Sequence, residues 1–309
     1  MPADGALPRV VSLIASATET VCALGCEGAL VGRSHECDWP RSVLTLPAVS
    51  RPAFVTAGSS RAVDLALKER LARALSIYEV DGALLKRLAP DLIITQTQCE
   101  VCAVSPADVE RAVCELTDRS ARILALEPNG LDDVWTDIQR VAEALGVPER
   151  GAELVRQLHW RVADIERRAA ALEARPRVAV VEWIEPLMAA GNWMPELVET
   201  AGGINLLGAV GLHSPPITWE QLAAADPDVI VAAPCGFDLD RTRRELYWLT
   251  DRPGWSRLRA VREARVYIAD GNRYFNRSGP GVVETLAILA EVLHGTGARF
   301  RGSGWLPVL

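Results

Sequence analysis

Two cysteines three positions apart, in Cys99-Glu-Val-Cys102, are the residues of this 309-residue chain whose type and spacing point most directly at chemistry. Thiolates and imidazoles bind zinc, and a structural zinc takes four such ligands. His35, Cys37 and Cys235 are the residues that would have to complete the set. A single C-x-x-C without a second pair at a fixed spacing is a weak metal signal. A redox pair of the thioredoxin kind opens a helix directly after a strand, whereas Ser105-Pro106 reads as the helix start, three residues beyond Cys102. A metal- or thiol-dependent enzyme using Cys37, Cys99, Cys102 and Cys235 therefore stands as an alternative. His35 and His213 each offer a base, but neither has a nucleophile or an orienting carboxylate near it in sequence. The phosphate-binding, dinucleotide-binding and nucleophile-elbow glycine motifs do not occur. The expectation is a protein that is not an enzyme and requires no cofactor.

The remaining polar and aromatic clusters suit binding. Ser34-His35-Glu36-Cys37-Asp38-Trp39-Pro40 and Gln96-Thr97-Gln98-Cys99-Glu100 combine amides, an imidazole and an indole in loops that follow apolar runs. Trp183, the pair Asn192-Trp193, Phe237 and the stretch Asn272-Arg273-Tyr274-Phe275 repeat that mixture later in the chain. Flat side chains grip a large flat ligand, and a few amides fix its orientation. The expected ligand contacts are His35, Cys37, Asp38, Trp39, Gln96, Gln98, Cys99 and Glu100 in the first half. In the second half they are Trp183, Asn192, Trp193, Phe237, Asn272, Tyr274 and Phe275.

These loops need a scaffold, and the chain supplies one twice. Arg9–Ile14, Pro90–Thr95 and Ala121–Leu126 are apolar runs without polar alternation, as are Arg177–Glu182, Pro227–Ala232 and Ala264–Ala269. Such runs, separated by amphipathic segments at 61–77, 81–89, 106–118 and 131–146, predict α/β architecture with parallel sheets covered on both faces. Ser16-Ala-Thr18-Glu19 reads as a helix start with a hydroxyl cap, and Pro195-Glu196 as another with proline in its first turn. Between the halves, Leu154, Leu158, Val162, Ile165, Ala169 and Leu172 make one helical stripe bounded by Pro148 and Pro176. About 27 residues at ~1.5 Å rise give a rod of roughly 40 Å. The predicted organisation is an N-terminal lobe over 1–147, a bridging helix over 148–176 and a C-terminal lobe over 177–309, with a ligand cleft between the lobes. Ligands bind at the carboxyl ends of parallel strands, where the loops named above lie.

Composition excludes other classes. A net charge of -7 without a Lys/Arg run disfavours nucleic-acid binding. No apolar run approaches the ~18–20 residues of a membrane span, so no membrane insertion is expected. Nine tryptophans against four phenylalanines and four tyrosines are the unusual feature. Seven cysteines, an odd number at scattered spacings, suit a reducing compartment. The opening residues carry no recognisable secretory leader, so the expectation is a cytoplasmic monomer, or an extracytoplasmic one if a leader has been removed.

As a set, the motifs resemble those of the vitamin B12 substrate-binding proteins of ABC importers. Ser16-Ala-Thr-Glu19 with Leu24-Gly25, Cys37-Asp-Trp-Pro40 and Pro90-Asp-Leu-Ile93 carry the resemblance in the first half. Ala201-Gly-Gly-Ile-Asn205, Thr218-Trp-Glu-Gln221, Pro227-Asp228 and Phe275-Asn-Arg-Ser-Gly-Pro280 carry it in the second. His-Glu-Cys-Asp at 35–38 and Cys-Glu-Val-Cys at 99–102 are similar to a leaderless subgroup. The resemblance implies the helical-backbone (class III) periplasmic-binding-protein fold, two Rossmann-like lobes joined by one long helix. It implies cobalamin or another corrinoid as ligand and an ABC permease as partner. Family members dock on that permease through an acidic residue on each lobe. Glu220 matches the second position, and the first falls on Ala83. Siderophore and haem binders share the fold, which keeps both ligand classes open.

Overall fold

The computed structural model describes residues 7–72, 78–97 and 121–308. The segment with Gln98, Cys99, Glu100 and Cys102, and the helix expected over 106–118, lie outside that range. The chain divides into two compact units. One holds the residues through Gly58, Leu65–Pro128 and Asp132–Gln157, and the other holds Ser59–Asp64, Asn129–Leu131 and Leu158–Leu309.

In the first unit a parallel sheet has the order β2-β1-β5-β6, from β1 (Val10–Ser12), β2 (Leu30–Arg33), β5 (Leu92–Gln96) and β6 (Arg122–Leu126). A separate antiparallel pair joins β3 (Ser50–Pro52) to β4 (Tyr78–Val80). The apolar runs are continuous because both faces are covered. Val10, Leu92 and Ile94 pack with Ala17 and Val21 on one side, while Val11, Ile93 and Leu85 pack together on the other. Each fully buried Val, Leu or Ile contributes about 1.5–3 kcal/mol. Helices α1 (Ala15–Ala23), α2 (Ser60–Ala72), α3 (Gly82–Leu88) and α4 (Leu131–Ala144) follow in order. Residue Asp81 caps α3 by accepting from the Leu84 amide.

The expected hydroxyl cap of α1 is not formed. The helix begins at Ala15 with Ile14 as an extended, uncapping N-cap residue, so Ser16 and Thr18 lie inside the first turns. Thr18 turns its hydroxyl back to the end of β1, 2.8 Å from Ser12 Oγ. Helix α5 spans Pro148–Ala170, and the boundary between the units falls within it, after Gln157. Of the expected stripe, Leu158, Ile165 and Ala169 are buried. Leu172 lies beyond the helix and is 38% exposed, so the stripe ends where burial ends.

The second unit carries the sheet β12-β11-β10-β7-β8, with β9 (Ile204–Asn205) also on β7. Strands β7 (Arg177–Trp183), β10 (Val229–Ala232) and β11 (Val266–Ala269) are parallel. The edges are not: β8 (Met188–Ala189) and β12 (Trp305–Pro307) run antiparallel, which makes this sheet mixed. Ala179, Val181, Ile230, Ala232, Val266 and Ile268 form one face of the core. The helices are α6 (Met194–Thr200), α7 (Trp219–Ala225), α8 (Leu239–Glu245), α9 (Tyr247–Thr250), α10 (Arg259–Arg262) and α11 (Val282–His294). Proline stands in the first turn of α6, as its spacing predicts, and Thr218 with Gln221 closes a capping box on α7. Buried Glu291 of α11 accepts from the amides of Arg299 and Phe300 and, at 2.8 Å, from Trp305 Nε1. That carboxylate fastens the C-terminal strand to the last helix. Glu245 likewise accepts from the amide and hydroxyl of Ser60 at 3.0 and 2.9 Å.

Candidate functional site

At the carboxyl edge of the first sheet, the loop after β2 is drawn inward by hydroxyls. Cys37 is fully buried, with Thr18 Oγ1 3.0 Å and Ser34 Oγ 3.2 Å from its sulfur. Burial pushes this thiol up, outweighing the hydroxyls that favour the thiolate. His35 leans the other way. Its Nδ1 lies 2.9 Å from Ser50 Oγ, and its ring is 5.2 Å from that of Tyr78. Tyr78 donates to Glu36 at 3.2 Å, and the same carboxylate oxygen lies 3.8 Å from His35 Nε2. Burial, reinforced by Arg33, holds the imidazole below its ordinary value, so it is neutral near pH 7. Asp38 is half-buried, Trp39 is 41% exposed, and Gln96 ends β5 with 5% exposure.

In the second unit the loops after β7, β10 and β11 converge. Trp183 ends β7 with its Nε1 donating to the Glu185 carbonyl at 3.1 Å. Its ring meets Phe237 edge-on, 5.2 Å between centroids. The guanidinium of Arg241 stands 3.7 Å over the opposite aromatic partner, Phe237 itself. Asp238 makes this possible: its carboxylate accepts from the Arg241 amide at 2.7 Å, starting α8 so that Arg241 lies one turn from Phe237. Stacking of this kind is worth about 0.5–2 kcal/mol.

The two later loops are joined through their backbones. Asn272 donates its amide to the Phe237 carbonyl at 3.0 Å, and Asn276 Nδ2 donates to Ala233 O and Gly271 O at 3.1 and 2.9 Å. Gly271 packs so tightly that any Cβ there would collide with the Pro234 carbonyl. The wide turn Gly271–Phe275 is capped by Asp270, which accepts from the Arg273 amide at 2.7 Å. Burial raises the Asp270 carboxyl above its usual range.

The structure thus gathers Trp183, Phe237 and Asn272, and on the other sheet His35 and Cys37 share one loop. Other expected contacts have different neighbours. Phe275 is 1% exposed, and Tyr274 stacks edge-on against Phe300 at 5.6 Å. Asn192 adopts φ 52°, donates its amide to Leu212 O at 2.7 Å, and keeps a buried Oδ1 without a partner. Trp193 follows it as the N-cap residue of α6, 8% exposed. Glu220 sits exposed in the first turn of α7. The helix start, the Thr218 hydroxyl and Arg252 hold its carboxyl below the usual value. Arg241 escaped the sequence reading. Its only signal was an aspartate three residues before it, at a helix start after an aromatic loop. Among the described residues no three His, Cys, Asp or Glu side chains form a group that could hold a metal ion. None of the described helices is long and apolar enough to cross a membrane.

Comparison with known proteins agrees with this architecture. The chain is 23% identical over 297 residues to an uncharacterized ABC transporter substrate-binding lipoprotein of Bacillus subtilis, covering 93% of this chain and 80% of the relative. It is 23% identical over 252 residues to a vitamin B12-binding protein of Yersinia pestis, covering 81% and 76%. A periplasmic heme binding protein from Pseudomonas aeruginosa superposes with a TM-score of 0.71 at 24% identity, over 98% of both chains. The sequence pattern of the periplasmic binding protein family matches residues 10–272. The chain belongs to that family.

Proposed function

We propose that this protein is the substrate-binding component of an ABC importer and that its cargo is a tetrapyrrole macrocycle, a corrinoid or a porphyrin. The observation that carries the reading is the rim of the second unit. There half-buried Trp183 and Arg241 offer an indole and a planar cation, both seated on the buried ring of Phe237, with Asn272 stitched beside them. A macrocycle supplies the large π surface that such side chains hold, and burial of that surface supplies most of the affinity. His35, Asp38, Trp39 and Gln96 are the first unit's contribution, with Asn192, Trp193, Tyr274 and Phe275 bordering the second; Gln98, Cys99 and Glu100 complete the expected set, while Cys37, sealed beneath its loop, braces that loop and does not touch cargo. In this reading the lobes are 1–147 and 177–309, and 148–176 bridges them. The protein acts as a monomer without catalysis, and the macrocycle is cargo.

The names of relatives support both corrinoid and haem. A specific observation favours the porphyrin: Arg241, Arg273 and Arg277 all lie on or beside the loops after β10 and β11. Arg273 already faces Glu284 and Arg277 is buried, so the half-buried guanidinium of Arg241 is the one that best suits a propionate carboxylate. The lipoprotein relative supports an extracytoplasmic location over the cytoplasmic one expected from the opening residues. Glu220 is the proposed docking residue for the permease.

Titration with cyanocobalamin and with haemin, read by tryptophan quenching and by the macrocycle's absorbance, tests the proposal. At least one should bind, and Trp183→Ala should weaken it about ten-fold or more. Silence from both macrocycles overturns the reading. Glu220→Lys should leave the affinity unchanged while lowering uptake in a reconstituted importer.

A further inference from the structure

We infer that the N-terminal turn of α1 receives a carboxylate of the ligand. This rests on the tetrapyrrole reading above and narrows it to a macrocycle that carries acid side chains.

The sheet of the first unit places this turn where a ligand belongs. From β1 the chain crosses to β2 on one side, and later returns to β5 on the other side of β1. The order of strands therefore reverses between β1 and β5. The crevice at the carboxyl ends of two such strands is where open α/β sheets bind ligands. α1 follows β1 at once, starting at Ala15 after Ser12, so its first turn stands at that crevice.

The turn is built without its own acceptors. The first amides of a helix have no partner within it. Ile14 offers no side-chain cap, and no acidic residue stands in the first turn. Among the described residues, nothing accepts from the amides of Ala15, Ser16 or Ala17. Exposure of these three residues is 8%, 2% and 0%, so bulk water does not serve them either. The independent observation is Ser16: its hydroxyl is buried and has no hydrogen-bond partner. Cα–Cβ bonds in a helix tilt toward its N-terminus, which directs this hydroxyl to the same end as the free amides. Buried polar groups are nearly always satisfied, and an exception calls for a partner.

Charge favours an acid over an amide. A helix N-terminus carries a partial positive charge and binds oxyanions. Arg33, paired in register with Ser12 at the end of β2, adds a cation at the same edge, and its Nε is likewise buried without an acceptor. Glu19 opposes this from the next turn, but it is itself partnered. The entry to the helix is held in place before any ligand arrives. Ser12 donates to the Ile14 carbonyl at 3.0 Å, and Thr18 Oγ1 lies 2.8 Å from Ser12 Oγ.

The test compares mesoporphyrin diacid with its diamide, a neutral match in shape, and cyanocobalamin, whose side chains are amides. Wild type should bind the diacid about ten-fold more tightly than the diamide. Ser16→Asp, which brings its own carboxylate, should erase that preference, whereas Ser16→Asn, of equal size and no charge, should keep it. Equal affinity of wild type for diacid and diamide overturns the inference and leaves the tetrapyrrole reading intact; this arm needs no variant to fold. A preference that survives Ser16→Asp overturns the location. If no macrocycle binds, the tetrapyrrole reading falls. Acetate then decides the turn by itself: shifts at the Ala15, Ser16 and Ala17 amides in nitrogen-15 NMR uphold the anion site, and their absence overturns it.

Discussion

Cys37 shows how far a residue's chemistry depends on its surroundings. In sequence it is a thiol next to an imidazole and a carboxylate. In the fold it is sealed among Ser12, Thr18 and Ser34, and burial keeps it protonated well above the usual thiol range. Thiolate is the reactive form, so a buried thiol of this kind is inert. Peptide mapping after iodoacetamide treatment of native protein near pH 8 should find Cys37 unmodified, and modified once the protein is unfolded. Cys22, half-buried and pushed up to about 12 chiefly by burial, should lag behind Cys235 in the same experiment. Rapid native labelling of Cys37 would contradict the hydroxyl pocket. Little of this was legible in the sequence, because Ser12 and Thr18 reach Cys37 only through the pairing of β1 with β2, and only Ser34 is a neighbour along the chain. Arg241 was hidden for a similar reason, since its place over Phe237 depends on the Asp238 cap and on no periodicity.

At the scale of elements the sequence was more informative. The unalternating apolar runs at Val10–Ser12, Leu92–Gln96, Val229–Ala232 and Val266–Ala269 emerge as buried parallel strands, since burial on both faces leaves no polar alternation. The short antiparallel edges β8 and β12 carry too few residues to show a pattern. The end of α5 falls short of the stripe because Leu172 keeps the helical spacing but stays 38% exposed. Gly271 supplies the prediction that belongs here. It lets the turn after β11 lie against the Pro234 carbonyl, where no side chain fits. Gly271→Ala should cost about 1–3 kcal/mol in chemical denaturation, by forcing two backbones apart. It should weaken macrocycle binding as well, since Asn272 and Phe237 move with those backbones. A variant of unchanged stability and affinity would refute the close approach.

For the molecule as a whole, acidity and cargo are the levers. Half-buried His35 is held neutral, below its usual value of 6.5. As pH falls through that value the unfolded chain takes up a proton before the folded one does, so the stabilisation is complete above it and lost below. Melting temperature should therefore fall as pH drops from about 7 to about 5, and His35→Gln should flatten that part of the profile. Parallel profiles for the two proteins would remove His35 as the cause. Cargo acts in the opposite direction. A ligand at about 100 times its Kd adds roughly 2.7 kcal/mol, a rise of several degrees for a chain of this size.

The backbone weld between the turns after β10 and β11 bears on how new specificities arise. Trp183 and Arg241 project from supports whose shape does not depend on them. Exchange of those two side chains can alter which molecule is admitted while the frame stays fixed. Insertion or deletion in either turn would break the weld and lose the frame. A library aimed at new cargo should vary positions 183 and 241 and keep both turns at their present length.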